Sequence, residues 1–411
     1  MYAQLGAIIV ATSLVQLANG FFTTVISLQL ALGSFSATFE GVILSAYFIG
    51  FTIGSVTCGG IIQRIGHIRS YAAFAGIVVA CTAVMALWVN DLAWALLRAA
   101  IGFGCVGLFV TTESWLNAKA VASARGRVFS TYMVGTFLAL ALGQLLVGRL
   151  SLEGDTPFII IMGLFAGALA IVSLTRADAP IITREERLPY GTVMRAAPLA
   201  VLGAGIAGMI AASFYAVVPM WMLARQIDQR TIGLVMLTAV LGGLAFQIPV
   251  GWLSDRVDRR LLLAILAGGF AASAVGLVFA PRALEVVLPL AFVFGGQMST
   301  LYPVCVAHAL DHMAPGQMVS VSGRLILVSG VGSTIGPFTA TWIMSHLDLN
   351  GVLYFMAAAA LIVVCAALLL ALRRSEAPVI SAPAIVIAPQ AVQFEPGAPA
   401  AASMERRNPA G

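Results

Sequence analysis

The chain is expected to fold as an all-α integral membrane protein, with about twelve transmembrane helices in two pseudo-symmetric six-helix bundles. Three observations predict this. Hydrophobic residues make up 60% of the 411 residues and charged residues only 9%. A soluble domain carries about 25% charged residues, so lipid is the solvent for most of this surface. Apolar runs near the length of a bilayer crossing, about 20 residues, recur from end to end. Finally, a tight charged turn occurs twice, half a chain apart. Gly59-Gly60-Ile61-Ile62-Gln63-Arg64-Ile65-Gly66-His67 returns as Gly251-Trp252-Leu253-Ser254-Asp255-Arg256-Val257-Asp258, 192 residues later (251 − 59).

The apolar runs can be taken in order, with bounds good to a few residues. The first, roughly 5–31, carries Gln16, Asn19 and Thr23 at helical spacing. No Lys or Arg precedes Arg64, so this run lacks the basic start of a signal peptide and reads as a retained helix. The second, roughly 39–62, opens on Glu40, which shares a seven-residue stripe with Tyr47 and Gly54. The third and fourth cover about 69–89 and 92–118; the fourth holds Arg98 and Glu113. The fifth, about 127–149, follows Gly126-Arg127 and carries Tyr132 and Thr136, and the sixth covers about 157–176. A charged linker, 177–197, contains Arg184, Glu185, Glu186, Arg187 and Arg195.

The second half begins with a run at about 198–224 that holds Tyr215 and Trp221. Further runs follow at about 231–253 with Gln247, 260–280, and 285–310 with Gln297, Tyr302 and His308. The last two cover about 318–345, with Arg324, and 350–372. The expected domains are therefore a bundle over 1–176, the linker, a bundle over 198–374 and a tail over 375–411. The tail is rich in Ala, Pro and Val and has too little patterned apolar surface to fold.

Charge placement sets an orientation. With the N-terminus in the cytoplasm, the inner loops hold twelve Arg and Lys residues, among them Arg64, Arg69, Arg127, Arg256 and Arg259. The outer loops hold Arg149, Arg225, Arg230 and Arg282. Basic residues favour the cytoplasmic side, so both termini and the linker are expected inside the plasma (inner) membrane. The net charge of +5 is scattered between apolar segments and marks topology, so no nucleic-acid partner is expected. The five cysteines form no Cys-x-x-Cys pair, which points to neither disulfides nor zinc.

A second repeat confirms the direction of the halves. Gly126 and Gly135 are spaced like Gly323 and Gly332, at an offset of 197 residues (323 − 126). Parallel repeats imply an axis along the membrane normal with a path between the halves, the plan of many transporters.

With these motifs in view, the chain resembles the major facilitator superfamily along nearly all of residues 1–375. Gly59, Arg64 and Gly66 resemble its Gly-x-x-x-Asp-Arg-x-Gly signature, with Gln63 where the acid is expected. The second copy keeps Gly251, Asp255 and Arg256 but has Asp258 in place of glycine. Arg98, Gly102 and Gly104 are similar to the superfamily's Arg-x-x-x-Gly-x-Gly segment. Arg64 to Tyr71, Glu113-Ser114, Arg125-Gly126-Arg127, Gly143-Gln144 and Leu301-Tyr302-Pro303-Val304 resemble the YcaD-like branch. Many drug exporters of the superfamily carry a Gly-x-x-x-Gly-Pro element in the fifth helix. Here it stands in the eleventh, at Gly332, Gly336 and Pro337, which weakens a drug-antiporter reading.

Charges inside a bilayer are costly, so each needs a partner or a purpose. Arg98 either snorkels outward or faces a cavity, where it binds an anionic substrate or tunes an acid, with Glu40 as the candidate coupling acid. Glu40 alternatively sits at a helix N-terminus as a plain dipole partner. Glu113 is read as a gate acid that pairs with Arg64, Arg69 or Arg127; proton carriage or a surface pair are the alternatives. Asp255, beside Arg256, is expected to accept from backbone N–H groups near Gly126, and Arg324 joins this inner set. Gln16, Asn19, Tyr132, Tyr215, Gln247, Gln297 and Tyr302 complete a neutral, partly aromatic cavity around Arg98, although each alone could be a helix–helix hydrogen bond. His308 and His312 read as a helix cap, and no metal site is expected.

No Gly-x-x-x-x-Gly-Lys element exists in the sequence, which argues against ATP-driven pumping. No clustered nucleophile, base or metal set suggests an enzyme, and no cofactor is expected. The reading is a monomeric secondary transporter of a small molecule, proton-coupled, with export slightly favoured. Uptake symport is the alternative, and a non-transporting sensor or scaffold is the alternative from another class.

Overall fold

The computed structural model describes residues 2–33, 35–119, 124–152, 154–175, 190–313 and 318–372. The charged run Arg184 to Arg187 and the tail from Arg373 onward lie outside the described residues.

Among the described residues, six helices form the first half: α1 (Tyr2–Leu32), α2 (Ala37–Ile65), α3 (His67–Leu87), α4 (Asp91–Lys119), α5 (Arg125–Val147) and α6 (Thr156–Ser173). Six long helices form the second: α8 (Pro198–Ala224), α9 (Gln229–Ser254), α10 (Arg259–Phe279), α11 (Leu284–Leu310), α12 (Met318–His346) and α13 (Gly351–Leu372). Between them lies α7 (Tyr190–Ala196), a seven-residue helix inside the expected linker. It is too short to leave a periodic signal in the sequence. The other twelve helices are long and apolar enough to cross a membrane.

Local chemistry explains the helix ends. Ser36 caps α2 by accepting from the Phe39 amide, and Asp228 caps α9 by accepting from the Thr231 amide at 3.0 Å. The Thr231 hydroxyl and amide hold the Asp228 carboxyl below the usual carboxylate range. Gly66 joins α2 to α3 at φ 84°, a backbone region that glycine enters without strain. This explains why the first charged turn ends in glycine. In the second turn Asp258 sits at φ −56° and caps α10 through the Arg260 amide at 2.8 Å. The departure from glycine there reflects a different turn.

Glycines set the closest helix contacts, and they obey the repeat. A methyl group on Gly50 of α2 would collide with the Ala99 carbonyl of α4, and one on Gly102 would collide with the Tyr47 carbonyl. In the second half, Gly242 of α9 meets the Phe292 carbonyl of α11, and Gly295 meets the Ala239 carbonyl. Gly242 lies 192 residues after Gly50 (242 − 50). The two halves thus share one packing scheme, in which small residues let backbones approach where lipid offers no hydrophobic drive.

Candidate functional site: a seam closed at one end

The halves meet along a seam, and the seam is tight at one end. Met220 N of α8 donates to Ser27 Oγ of α1 at 3.1 Å. Phe338 N of α12 donates to Ser45 Oγ of α2 at 3.0 Å. Gln229 Nε2 of α9 donates to the carbonyls of Val147 and Leu150, the latter at 2.7 Å. Gly41 abuts Phe338, Gly148 abuts Arg230, and Gly233 abuts the Gln144 carbonyl. Every one of these residues is near the α1 C-terminus, the α2 N-terminus or helix ends at the same level. We call this the sealed end.

Two of these hydrogen bonds share a design. Each donor directly follows an intrahelical proline, Pro219 before Met220 and Pro337 before Phe338. Proline removes one helical hydrogen bond and pushes the preceding turn away, which loosens the following amide enough to donate sideways. Each serine accepts from that amide across the seam. Losing either hydroxyl leaves a backbone donor without a partner, at about 1–3 kcal/mol. The double variant Ser27→Ala, Ser45→Ala is therefore expected to open the sealed end. Spin labels placed across it should report longer distances, and an unchanged distribution would remove these serines from the gate.

The opposite end carries the charged turns. Arg64, Arg69, Arg127, Asp255 and Arg256 are exposed there, and Arg324 is half-buried. A methyl on Gly59 or Gly126 would meet open space. Gly251 is half-buried on the last turns of α9. The expected pairing of Glu113 with Arg64, Arg69 or Arg127 is not formed. Glu113 is only 1% exposed, its Oε1 accepts from the Tyr132 hydroxyl at 3.2 Å, and its Oε2 has no partner among the described residues. The physical reason is depth: Glu113 lies six residues, roughly 9 Å, inside the α4 terminus at Lys119. Tyr132, expected in the cavity lining, is thus the hydrogen-bond partner of Glu113. Nor does Asp255 cap α5. It pairs with Arg259 one turn further on at 3.6 Å, and Arg256 stacks over Trp252 at 3.7 Å.

Near the sealed end, Arg98 forms the core of a buried knot. It lies seven residues, about 10 Å, inside α4 and is 1% exposed. Its guanidinium sits 4.7 Å from the Tyr47 ring and 5.3 Å from the Phe22 ring, and among the described residues none of its three nitrogens has a hydrogen-bond acceptor. Tyr47 donates to Asn19 Oδ1 at 3.0 Å, and Cys105 points at the same oxygen. Gln16 is buried on α1 one turn away. Glu40 does not join the knot. It is half-buried seven residues before Tyr47 and forms no ion pair with Arg98.

The polar residues of the second half are mostly spoken for. Gln247 Nε2 approaches the Ser299 carbonyl at 3.5 Å. That carbonyl is the one Pro303 leaves without a helical donor, so Gln247 offsets a proline. Gln297 Oε1 accepts from Ser273 at 2.8 Å. The Tyr215 and Tyr302 hydroxyls are buried, with no partner among the described residues. His308 and His312 rings lie 4.7 Å apart at the α11 end. Arg259, read as one of the inner-loop arginines, is buried; it bonds Ala307 O at 2.8 Å and pairs with Asp311, tying α10 to α11. Sequence reading missed Ser27, Ser45 and Gln229. The usable signal was the proline in α8 and in α12, whose following amide needs an acceptor.

The sequence model described as Major Facilitator Superfamily matches residues 8–198 and 200–402. The chain is 30% identical over 353 residues to the uncharacterized MFS-type transporter YcaD of Escherichia coli, covering 84% of this chain and 90% of that protein. It has the same identity and coverage to the protein of that name from Shigella flexneri. Among solved structures, the nucleoside transporter NupG aligns with TM-score 0.72 at 13% identity, over 91% of this chain and 100% of that chain. A bacterial homolog of the human lysosomal transporter Spinster, inward-facing and occupied, aligns with TM-score 0.70 at 15% identity, over 90% and 96%. At these identities the structural matches speak to the fold.

Proposed function

Because the chain belongs to the Major Facilitator Superfamily, we propose that it is a secondary transporter of the cytoplasmic membrane that moves a small anionic molecule by alternating access, with protons as the coupling ion. The observation that carries this reading is the one-sided seam: hydrogen bonds and glycine contacts close one end while the charged turns at the other stand exposed. With the arginine-rich end in the cytoplasm, as the positive-inside bias predicts, this is an inward-facing state. The anionic substrate class rests on Arg98, a buried guanidinium of the first half with no acceptor among the described residues. The aromatic rings beside it favour export slightly over uptake.

Reconstitution tests the proposal. Proteoliposomes offered small carboxylates and phosphates should accumulate at least one of them, and a proton gradient should change the rate. A panel that moves at the rate of empty vesicles, with and without the gradient, sinks the transport reading.

In this proposal Glu113 and Asp255 act when the arginine-rich end closes, since neither meets its expected partner in the state described. Glu113→Gln and Asp255→Asn should then favour the inward-facing state. Losing about 1–3 kcal/mol of differential contact shifts a two-state balance about 5–150-fold. Label distances across the arginine-rich end report the shift, and parent-like distributions in both variants remove the gate role.

A further inference from the structure

A cavity of about 210 Å³ lies at the sealed end and is lined by residues of the second half. It is walled by α8, α9, α10, α11 and α13. Phe214 and Phe294, with ring centroids 5.3 Å apart, form its floor. Trp221 and Leu277 line its sides. From Leu284 at the mouth to Phe294 at the floor is ten residues of α11, roughly 15 Å. The volume falls below the about 300–1,000 Å³ of drug-sized sites, so a single slender chain fits better than fused rings.

The mouth is chemically distinct from the floor. Arg225 and Arg282 both border it. Among the described residues neither has a carboxylate partner. Arg225 stacks 5.2 Å from the Trp221 ring and donates to the Val278 carbonyl at 3.1 Å, which holds its position at the rim. The nearest acid on the lining, Asp228, already accepts from the Thr231 amide and hydroxyl. Gln226, also on the rim, has φ 61°, a conformation that a residue with a side chain adopts at a cost. Strain of this kind persists where surrounding structure enforces it. A deep apolar slot under two cations matches one ligand chemistry.

We propose that this cavity binds an amphipathic anion, with its apolar chain against Phe214 and Phe294 and its carboxylate or phosphate between Arg225 and Arg282. Two sources supply this chemistry, an anionic lipid of the outer leaflet and a free amphiphile such as a fatty acid. The walls α8 and α9 also carry Met220 and Gln229, which hold the seam. An occupant therefore braces the sealed end and acts as an effector separate from the transported molecule.

The full chain in nanodiscs of zwitterionic lipid provides the test, with decanoate brominated at its terminal carbon as the probe. Bromine should quench Trp221 fluorescence, and Trp221→Phe should lose that quenching. Arg225→Gln with Arg282→Gln should raise the half-quenching concentration about tenfold or more, since charge-assisted bonds are lost. The matching bromodecanol should quench weakly. Decanoate should also raise the melting temperature of the parent but not of the double arginine variant, a readout independent of the tryptophan change. Competition by added anionic phospholipid identifies the lipid source, and its absence identifies the free amphiphile. Equal quenching in Trp221→Phe, or equal affinity for bromodecanol, overturns the site.

Discussion

Leucine in place of Gly50 or Gly242 is expected to leave little folded protein in the membrane. Both glycines face a backbone carbonyl across a helix pair, Ala99 in one case and Phe292 in the other. A carbonyl on a packed helix cannot rotate aside as a side chain can. Overpacking a core with side-chain neighbours costs about 1–3 kcal/mol; a collision with backbone forces the helices apart and adds the loss of their shared contacts. The yield of monodisperse protein in detergent measures the effect. Gly163→Leu and Gly167→Leu serve as controls, because open space surrounds both positions. If all four variants give equal yield, the glycine contacts do not hold the bundles together.

Arg98→Met is expected to keep or raise thermal stability while abolishing binding of anionic substrates. A buried charge costs several kcal/mol in desolvation. The two rings beside Arg98 return about 0.5–2 kcal/mol each, and no acceptor returns more. Stability therefore gives no reason for a guanidinium at this place, and an apolar residue of similar volume is often neutral or stabilising by 1–4 kcal/mol. Arg98→Lys separates two roles. A lysine keeps the charge but loses the planar fork. If Arg98 grips a carboxylate with two hydrogen bonds, Lys fails nearly as badly as Met. If it acts through its field, Lys retains most transport. A melting temperature that falls by many degrees in Arg98→Met, with transport intact, would assign Arg98 to packing.

The twelve crossings were legible because length and hydrophobicity decide them before any tertiary contact forms. Their ends differ from the sequence reading by a few residues, as at α2, where Ser36 and Gly66 set the limits. The repeat was also legible, since Gly50 and Gly242 follow the same offset as the charged turns. The site was legible only in its residue types. That Arg98 is buried was not readable, because Phe22 and Tyr47 reach it from two other helices. The pairing of Glu113 with Tyr132 rather than an arginine depends on depth, since Glu113 lies six residues inside the end of α4. Gln247, a cavity candidate by residue type, also reaches a carbonyl that a proline two helices away in sequence leaves without its helical donor. Such pairings are properties of the assembled bundle.

The prolines of α8, α9, α11 and α12 break the symmetry that the duplication created. Pro219, Pro249, Pro289, Pro303 and Pro337 all lie inside helices of the second half. The first half has no proline before Pro157, which sits at the start of α6, where a helix tolerates it. Two copies of one architecture thus differ in mechanics. Among the described residues, the helices of one half hold no interior proline, while those of the other hold five. A rigid-body rocking scheme treats the halves as equals. Here the bending should concentrate in the second half, and its amides near the five joints should exchange with deuterium sooner than their symmetry mates in α1, α2, α4 and α5.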